Sequence, residues 1–352
     1  MDTLREKEAL SKIVALITEW TDIAPGETYF NLEGKGFNID LIQKTGDWVF
    51  VIEYKGNSSV QFVASAIDKL HKNAKQIDEN AIPVVAVPFM GDVGRNLCEE
   101  KRVFWVDLSG NAHIVAPGLR IHIEGKPNKY KLIGRPKDIF APKSSRITRH
   151  LLIAPDRYIT QRELTQETNL DEGLVSRVVR EMEKTGLLNR GLSGGVRPKD
   201  PHILLDAWYE KYSFLKHRLI RGFVAERTSD LAVKNLAAAF KENNLNYALT
   251  GLSAAWLLSS FATYRTVTVY LSAEPPAELL KKLGFTKGDK GSNVWLVIPN
   301  DEGVFNGATS REGIRHVHPV QVYLDLKGHP ERAKEAALAL RKQYLTWRTD
   351  AI

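Results

Sequence analysis

Two short apolar runs near the N-terminus carry acidic residues at matching places, and this pairing constrains the fold more than any other feature of the 352 residues. Asp40 lies near the end of the run over residues 37–42, and Glu53-Tyr54-Lys55 closes the run that begins at Trp48. The turn-like residues 44–47 join the runs, so we expect a β-hairpin. Side chains alternate along a strand, so Glu53 and Lys55 share one face, and the natural hairpin register brings Asp40 to the same edge.

Two carboxylates and one ammonium group at a sheet edge have the chemistry of a divalent-metal site. Mg²⁺ or Mn²⁺ prefers hard oxygen ligands, which Asp40 and Glu53 would supply. Lys55 would orient or deprotonate an attacking water while the metal stabilises the charge that develops on a phosphate. A surface salt-bridge group at two strand ends is the alternative interpretation. Gln61, early in the helix after Lys55, is a further candidate for contacting a phosphate or the metal-bound water, although a solvent-facing glutamine is the simpler interpretation.

Helices and strands alternate around this hairpin. An amphipathic helix is predicted over residues 3–20, with further helices over 60–77 and 93–101 and strands over 82–87 and 103–108. The resulting order predicts an α/β domain whose later strands are covered on both faces. The order of elements and the acidic residues on the hairpin resemble the PD-(D/E)XK nuclease core. That resemblance implies catalytic roles for Asp40, Glu53 and Lys55. It also implies a further acidic residue on the first helix, which either Glu8 or Glu19 would supply.

The positive charge of the chain is concentrated in its middle. Between Lys126 and Lys199 there are 16 Lys and Arg residues against 8 Asp and Glu, while the whole chain has a formal net charge of +7. The flanking parts are therefore close to neutral. Such a concentration is typical of a module that binds a polyanion, and a lysine-rich solvated surface is the alternative. Residues 126–142 combine proline, glycine and lysine as a linker does.

The segment after this linker predicts a winged helix-turn-helix. Three short helices are expected over residues 144–152, 160–167 and 171–184, followed by a glycine-rich hairpin. The third helix has an apolar face and an opposite face of small and basic residues, which suits a helix that enters a major groove. Double-stranded DNA is therefore the predicted partner, and an ordinary protein-interaction module is the alternative. The predicted DNA contacts are Ser176, Arg177, Arg180 and Lys184 on the helix and Arg190, Arg197 and Lys199 on the wing.

The last part of the chain predicts another α/β domain. The segment Tyr247–Thr250, followed by Gly251 and Ser253, resembles the strand-Gly-x-Ser entry of nucleotidyltransferase folds. Such enzymes bind metal through aspartates on a following strand, yet the candidate strand over residues 265–271 has no carboxylate. Nucleotidyl transfer is therefore not expected, and the domain is interpreted as a degenerate relative.

Four separated segments, residues 105–112, 249–255, 299–305 and 319–326, resemble bacterial type IV toxin-antitoxin proteins of the AbiEi antitoxin family. The resemblance is to the long subgroup that adds a nuclease-like N-terminal domain to a winged helix. It implies a DNA-binding transcriptional autoregulator that counteracts a nucleotidyltransferase-type toxin. A cognate toxin and a second copy of the chain are the candidate protein partners. His316, His318 and Asp325 have no partners that the sequence identifies, so a hydrogen-bonded structural role is expected for them.

Composition excludes several classes of protein. No apolar run approaches the ~20 residues of a membrane span, and the N-terminus lacks the order of a signal peptide, so a cytoplasmic protein with no membrane contact is expected. The single cysteine, Cys98, excludes an intramolecular disulfide and a thiolate zinc cluster. No organic cofactor is expected.

The sequence thus predicts an α/β and α+β multidomain protein. Its predicted parts are a restriction-endonuclease-like domain over residues 1–125, a basic linker over 126–142, a winged helix over 143–200 and a degenerate nucleotidyltransferase-like α/β domain over 201–352. Three functions remain open. The first is a DNA-binding regulator or antitoxin, the second is a Mg²⁺-dependent endonuclease of a defence or mobile-element system, and the third is a non-catalytic protein-interaction scaffold.

Overall fold

A computed structural model describes residues 2–34, 37–131, 138–261 and 263–347. The chain divides into two compact units, Met1–Pro136 and Lys137–Ile352. Both contain a large mixed sheet and helices, which confirms a mixed α/β protein with more than one structural unit. None of the helices in the described ranges has the length and apolarity to cross a bilayer.

The first unit is built on a seven-stranded sheet whose strands follow one another in chain order. The third strand pairs in parallel with the fourth, and the fourth with the fifth, while the other neighbouring pairs are antiparallel. Its elements are α1 (Asp2–Thr21), β1 (Thr28–Gly34), β2 (Phe37–Thr45), β3 (Trp48–Tyr54), α2 (Val60–Ile77), β4 (Ile82–Val87), α3 (Asp92–Glu100), β5 (Phe104–Asp107), β6 (Ala112–Ala116) and β7 (Leu119–Ile123).

Helices cover both faces of this sheet. The apolar side of α1, including Leu10 and Ile13, packs in one cluster with Phe50 and Ile52 of β3. The helix α2 packs against β3 and β4 and buries its own apolar residues. Because side chains alternate along β3, Glu53 projects to the face opposite Phe50 and Ile52. The carboxylate of Glu53 therefore lies on the α2 side of the sheet.

The predicted hairpin of β2 and β3 is confirmed, with Leu41 opposite Ile52. The sequence pattern does not predict three of the strands: β1, β6 and β7. These lie toward the two edges of the sheet, where polar and charged residues interrupt the apolar pattern. Asn111 holds Lys126, the first residue of the predicted linker. The side-chain amide of Asn111 donates a hydrogen bond to the backbone carbonyl of Lys126, and its side-chain carbonyl accepts one from the backbone N–H of Lys126. Residues 132–137 of that segment lie outside the described residues.

The second unit combines three short helices and a hairpin with another seven-stranded sheet. Its elements are α4 (Ser145–Ile153), α5 (Gln161–Thr168), α6 (Glu172–Lys184), β8 (Leu188–Arg190), β9 (Val196–Pro198), α7 (Pro201–Lys211), β10 (Arg218–Phe223), α8 (Ser229–Glu242), β11 (Tyr247–Thr250), α9 (Gly251–Ser259), β12 (Val267–Leu271), α10 (Ala277–Lys282), β13 (Thr286–Lys287), β14 (Val294–Ile298), β15 (Thr309–Arg311), β16 (Ile314–His316), α11 (Pro319–Asp325) and α12 (Ala333–Tyr344), with 3₁₀ turns at Phe214–Lys216 and Glu302–Phe305. The order of strands in the sheet is β13-β10-β14-β12-β11-β16-β15.

The helix α4 joins the short helices to the rest of the second unit. It packs against α5 and also against α7, α11 and the 3₁₀ turn at Glu302–Phe305. Residues 143–200 and 201–352, which are separate domains in the sequence prediction, consequently belong to the same compact unit.

Candidate functional site

Asp40 and Glu53 lie side by side at the end of the β2–β3 hairpin. Leu41 pairs with Ile52 in an antiparallel ladder, so the same register continued by one residue brings Asp40 opposite Glu53. One carboxylate oxygen of Asp40, Oδ2, accepts a hydrogen bond from the backbone N–H of Tyr54 at 2.8 Å. The Nζ atom of Lys55 lies 2.7 Å from Glu53 Oε1. The hairpin register thus brings the three sequence-predicted residues into one group.

A second lysine, Lys69, joins this group from α2. Its Nζ atom lies 2.8 Å from Glu53 Oε1 and 3.6 Å from Asp40 Oδ1. Sequence reasoning missed this residue, because its place beside the carboxylates depends on how α2 packs on the sheet. The four side chains Asp40, Glu53, Lys55 and Lys69 form what we call the carboxylate–lysine cluster.

Glu53 is the most buried member of the cluster, with 0% of its side chain exposed. Burial raises the pKa of its carboxyl group, and the neighbouring charge of Asp40 adds to that rise, whereas the hydrogen bonds from Lys55 and Lys69 oppose it. Glu53 Oε2 has no hydrogen-bond partner among the described residues. Gln61 Oε1 is likewise buried and has no partner among the described residues, while Gln61 as a whole is half-buried.

Glu8 and Glu19 do not join the cluster, which corrects that part of the sequence prediction. Both side chains are exposed on α1. The buried side of α1 packs on the face of the sheet that carries Phe50 and Ile52, opposite the face of Glu53. Sequence periodicity places residues around a helix, but it does not say which face of the sheet the helix covers.

The cluster as arranged does not fit a divalent metal well. Two carboxylates face two ammonium groups, so the formal charges of the four side chains cancel. Within the described ranges, no three or more His, Cys, Asp or Glu side chains are grouped as metal ligands. The unpartnered Glu53 Oε2 is the feature that a metal would satisfy, but both carboxylates already interact with Lys69. This arrangement of charges therefore does not support a metal-dependent hydrolytic step.

The helix α6 presents the basic face expected from the sequence. Asp171 caps its N-terminus by accepting a hydrogen bond from the backbone N–H of Leu174 at 2.7 Å. The residues Val175, Val178, Val179 and Met182 are buried. On the other side Arg177, Arg180 and Lys184 are exposed, and Ser176 is half-buried. A three-residue turn, 169–171, separates α6 from α5, as in a helix-turn-helix.

Two of the three predicted wing residues are already engaged within the protein. The guanidinium of Arg190 donates hydrogen bonds of 2.7 Å to both carboxylate oxygens of Glu183 and one of 2.6 Å to the carbonyl of Gly194. Arg197 lies over the ring of Tyr158, with its guanidinium carbon 4.8 Å from the ring centre. Lys199 is exposed. The available basic surface is therefore concentrated on α6 rather than on the hairpin of β8 and β9.

Two arginines counted in the basic segment point inward from α4. Arg146 forms a bidentate pair with Asp301, with distances of 2.7 and 2.8 Å, and also donates to the carbonyl of Thr168. Arg149 is 3% exposed and donates two hydrogen bonds to Oε1 of Gln321. These residues hold α4 against the sheet-bearing part of the second unit. They contribute to the local charge count but not to an exposed basic surface.

Asp325 lies at the centre of a buried polar network that also contains Gln321. Its carboxylate accepts hydrogen bonds from Thr250 Oγ1, Tyr212 Oη and Gln321 Nε2, the last at 2.8 Å. Two of the four family-like segments, residues 299–305 and 319–326, contact α4 through Asp301 and Gln321, and a third, residues 249–255, binds Asp325 through Thr250. The structural role expected for Asp325 agrees with this network.

His217 extends the network, and its hydrogen bonds identify its neutral tautomer. The backbone N–H of Asn300 donates to Nδ1, so Nδ1 carries no proton. Nε2 lies 2.9 Å from Tyr212 Oη and therefore donates to it. Burial lowers the pKa of His217 to about 4, and the charge of Arg149 acts in the same direction. Burial likewise lowers the pKa of His318 to about 4.

The second unit is expected to lose stability as the pH falls from about 6.5 to about 4. In this range the unfolded chain binds protons at His217 and His318 that the folded protein excludes, so the free energy of unfolding decreases with falling pH. His217 alone contributes about 3 kcal/mol to this change. Asp325 acts in the opposite direction because burial raises the pKa of its carboxyl to about 6. Urea unfolding at several pH values measures how steeply the free energy of unfolding depends on pH. His217→Gln should make this dependence shallower, and an unchanged dependence would contradict a lowered pKa of His217 in the folded protein.

Residues 198–346 match the model of a protein family described as transcriptional regulator, AbiEi antitoxin, type IV TA system. The match begins at the end of β9 and spans fewer than half of the 352 residues. It supports the resemblance to type IV antitoxins for this part of the chain. No curated protein matches the chain.

Two solved structures are similar to parts of the chain. A repair endonuclease from Pyrococcus abyssi is 15% identical, with 28% of this chain and 45% of the endonuclease covered and a TM-score of 0.23. A protein of unknown function, AF1548, is 14% identical, with 49% of this chain and 93% of AF1548 covered and a TM-score of 0.23. The chain spans less than half the length of the endonuclease. At these TM-scores neither similarity carries an argument about fold or activity.

Proposed function

We propose that the protein is a DNA-binding transcriptional regulator of the AbiEi antitoxin type, and that α6 is the helix that contacts double-stranded DNA. The observation that carries this proposal is the exposed row of Arg177, Arg180 and Lys184 on α6, which follows α5 after a three-residue turn. Short and basic residues on one helix face permit close approach to a groove and contacts with bases or phosphates.

Two further observations support a winged helix-turn-helix in this role. The β8–β9 hairpin follows α6 directly, and Ile159 forms an isolated bridge with Val196, so the hairpin is anchored beside α5. The family description for residues 198–346 includes transcriptional regulation and an antitoxin role. A nucleotidyltransferase-type toxin as the counterpart, and a homodimer as the binding form, are parts of this proposal that follow from the family resemblance.

Binding to DNA from upstream of the protein's own coding region tests the proposal. Fluorescence anisotropy should show an affinity for this DNA that exceeds the affinity for a shuffled duplex of the same length by about 10³-fold. Equal affinity for the two duplexes would contradict a regulator with its own operator. Failure to bind either duplex at low salt would contradict DNA binding and favour the protein-interaction scaffold.

The endonuclease alternative receives less support, because Lys69 already contacts both carboxylates that would ligate the metal. We therefore expect supercoiled plasmid to stay intact when the wild-type protein is incubated with Mg²⁺ or Mn²⁺. Gel electrophoresis of the plasmid provides the measurement. Cutting by the wild type that is lost in both Glu53→Ala and Lys55→Ala would establish the alternative instead.

A further inference from the structure

Lys69 takes the place between Asp40 and Glu53 that a shared cation would occupy. Its ammonium group lies 2.8 Å from Glu53 Oε1, 3.6 Å from Asp40 Oδ1 and 3.3 Å from Asn38 Oδ1. An ammonium group has three N–H donors, and here three oxygen atoms surround it. The side chain of Lys69 is 29% exposed and that of Asp40 is 15% exposed, so water screens these contacts only partly.

The charges of the carboxylate–lysine cluster balance without any additional ion. Lys55 and Lys69 both contact Glu53 Oε1, while Lys69 also faces Asp40. A divalent cation placed on the same oxygens would meet two ammonium groups at short range. Repulsion between like charges is large at such distances in a partly buried site. Removing one ammonium group would leave the cluster with a net charge of −1 and two carboxylates able to share a cation.

We propose that Lys69 is a built-in counter-ion that competes with a divalent cation for Asp40 and Glu53. The first unit therefore keeps its two carboxylates together through an ammonium group, and it binds Mg²⁺ or Mn²⁺ weakly while Lys69 is present. Glu53 Oε2, which is buried and has no partner among the described residues, is the oxygen that gains most when a metal enters. This proposal goes beyond DNA binding by α6 and does not depend on it.

Metal binding by the full-length protein tests the role of Lys69. Titration with Mn²⁺, followed by electron paramagnetic resonance of the free ion, gives the dissociation constant without any activity assay. Lys69→Met should bind one Mn²⁺ at least about tenfold more tightly than the wild type, because one repelling charge is removed from the ligand oxygens. Adding Asp40→Asn to Lys69→Met should abolish the gain.

Lys72→Met is the matched control. Lys72 lies on the same helix, is exposed, and gives the same change in net charge when replaced. Its replacement should leave Mn²⁺ binding within about twofold of wild type, since water screens this exposed charge more strongly than the partly buried charge of Lys69. Lys69→Gln provides a second variant with the same charge change and a polar end, for use if Lys69→Met does not fold.

Equal Mn²⁺ affinity of the wild type and both Lys69 variants overturns the proposal, whether that affinity is high or undetectable. An equal gain in Lys72→Met also overturns it, because the gain would then come from net charge alone. Anisotropy with the same protein samples separates this result from the proposed function. The Lys69 variants are expected to bind DNA as the wild type does, since α6 belongs to the other compact unit.

Discussion

Replacing Arg177 and Arg180 together by alanine is expected to weaken DNA binding by about 100-fold at moderate salt. Both side chains are exposed on the same face of α6, one turn apart. An arginine that contacts a base or phosphate contributes roughly 1–3 kcal/mol, so the loss of two such contacts gives an effect of this size. The slope of the logarithm of affinity against the logarithm of salt concentration should also fall by about 2 in magnitude, because two counter-ions fewer are released.

The matched control for this variant is Lys234→Ala combined with Lys241→Ala. These two lysines are exposed on α8 of the same unit, so the double variant loses the same net charge from a different surface. Anisotropy titrations at several salt concentrations give both the affinity and the slope. We expect less than about threefold weakening in the control. Equal weakening in both double variants would mean that total charge, and not α6, determines binding.

Asp301→Ala is expected to lower the free energy of unfolding of the second unit by about 3 kcal/mol. Asp301 and Arg146 are 7% and 10% exposed, and removing one member of a buried pair leaves the other charge without its partner. Asp301 also accepts a hydrogen bond from the backbone N–H of Gly303, which the substitution removes as well. Hydrogen exchange at the amides of α4 in increasing urea reports on this part of the unit.

A double-mutant cycle isolates the ion pair from the lost turn contact. Asp301→Ala, Arg146→Met and their combination should give a coupling free energy of about 2 kcal/mol. The hydrogen bond to the backbone N–H of Gly303 is lost in both variants that lack Asp301, so it cancels from the coupling free energy. The exposed pair Arg332–Glu335, with side chains 62% and 51% exposed, serves as the control and should couple by less than about 0.5 kcal/mol. Similar coupling in both cycles would refute the view that Arg146 fixes α4.

The elements with strong local signals could be predicted from the sequence. The spacing of Thr160 and Glu163 predicts a capping box, which is confirmed, with Thr160 Oγ1 accepting from the N–H of Glu163 at 3.2 Å. The hairpin that brings Asp40 and Glu53 together is predictable because its alternation and its turn both lie within a few residues. Such features depend on neighbours along the chain, which the sequence displays directly.

Contacts between distant elements could not be predicted in this way. Lys69 reaches Glu53 only because α2 packs on that face of the sheet, and no local pattern encodes which face a helix covers. Arg146 counts as part of a basic surface in the sequence, yet its partner lies 155 positions further along the chain. The partners of Asp325 likewise come from separate segments. The sequence therefore predicts too large a basic surface in the middle of the chain, and it leaves Lys69 out of the carboxylate–lysine cluster.

Localised DNA cleavage from α6 tests most directly whether this helix contacts DNA. Cys98 is the single cysteine, it is buried, and burial raises the pKa of its thiol to about 12, so a cysteine introduced at an exposed position can be labelled selectively. Glu172→Cys, at the exposed start of α6, would carry an iron chelate that breaks nearby DNA strands, and Lys234→Cys on α8 is the control. We predict strand breaks confined to a few base pairs of the bound site for the first protein and none above background for the second. Cleavage from Lys234→Cys but not from Glu172→Cys would contradict DNA recognition by α6.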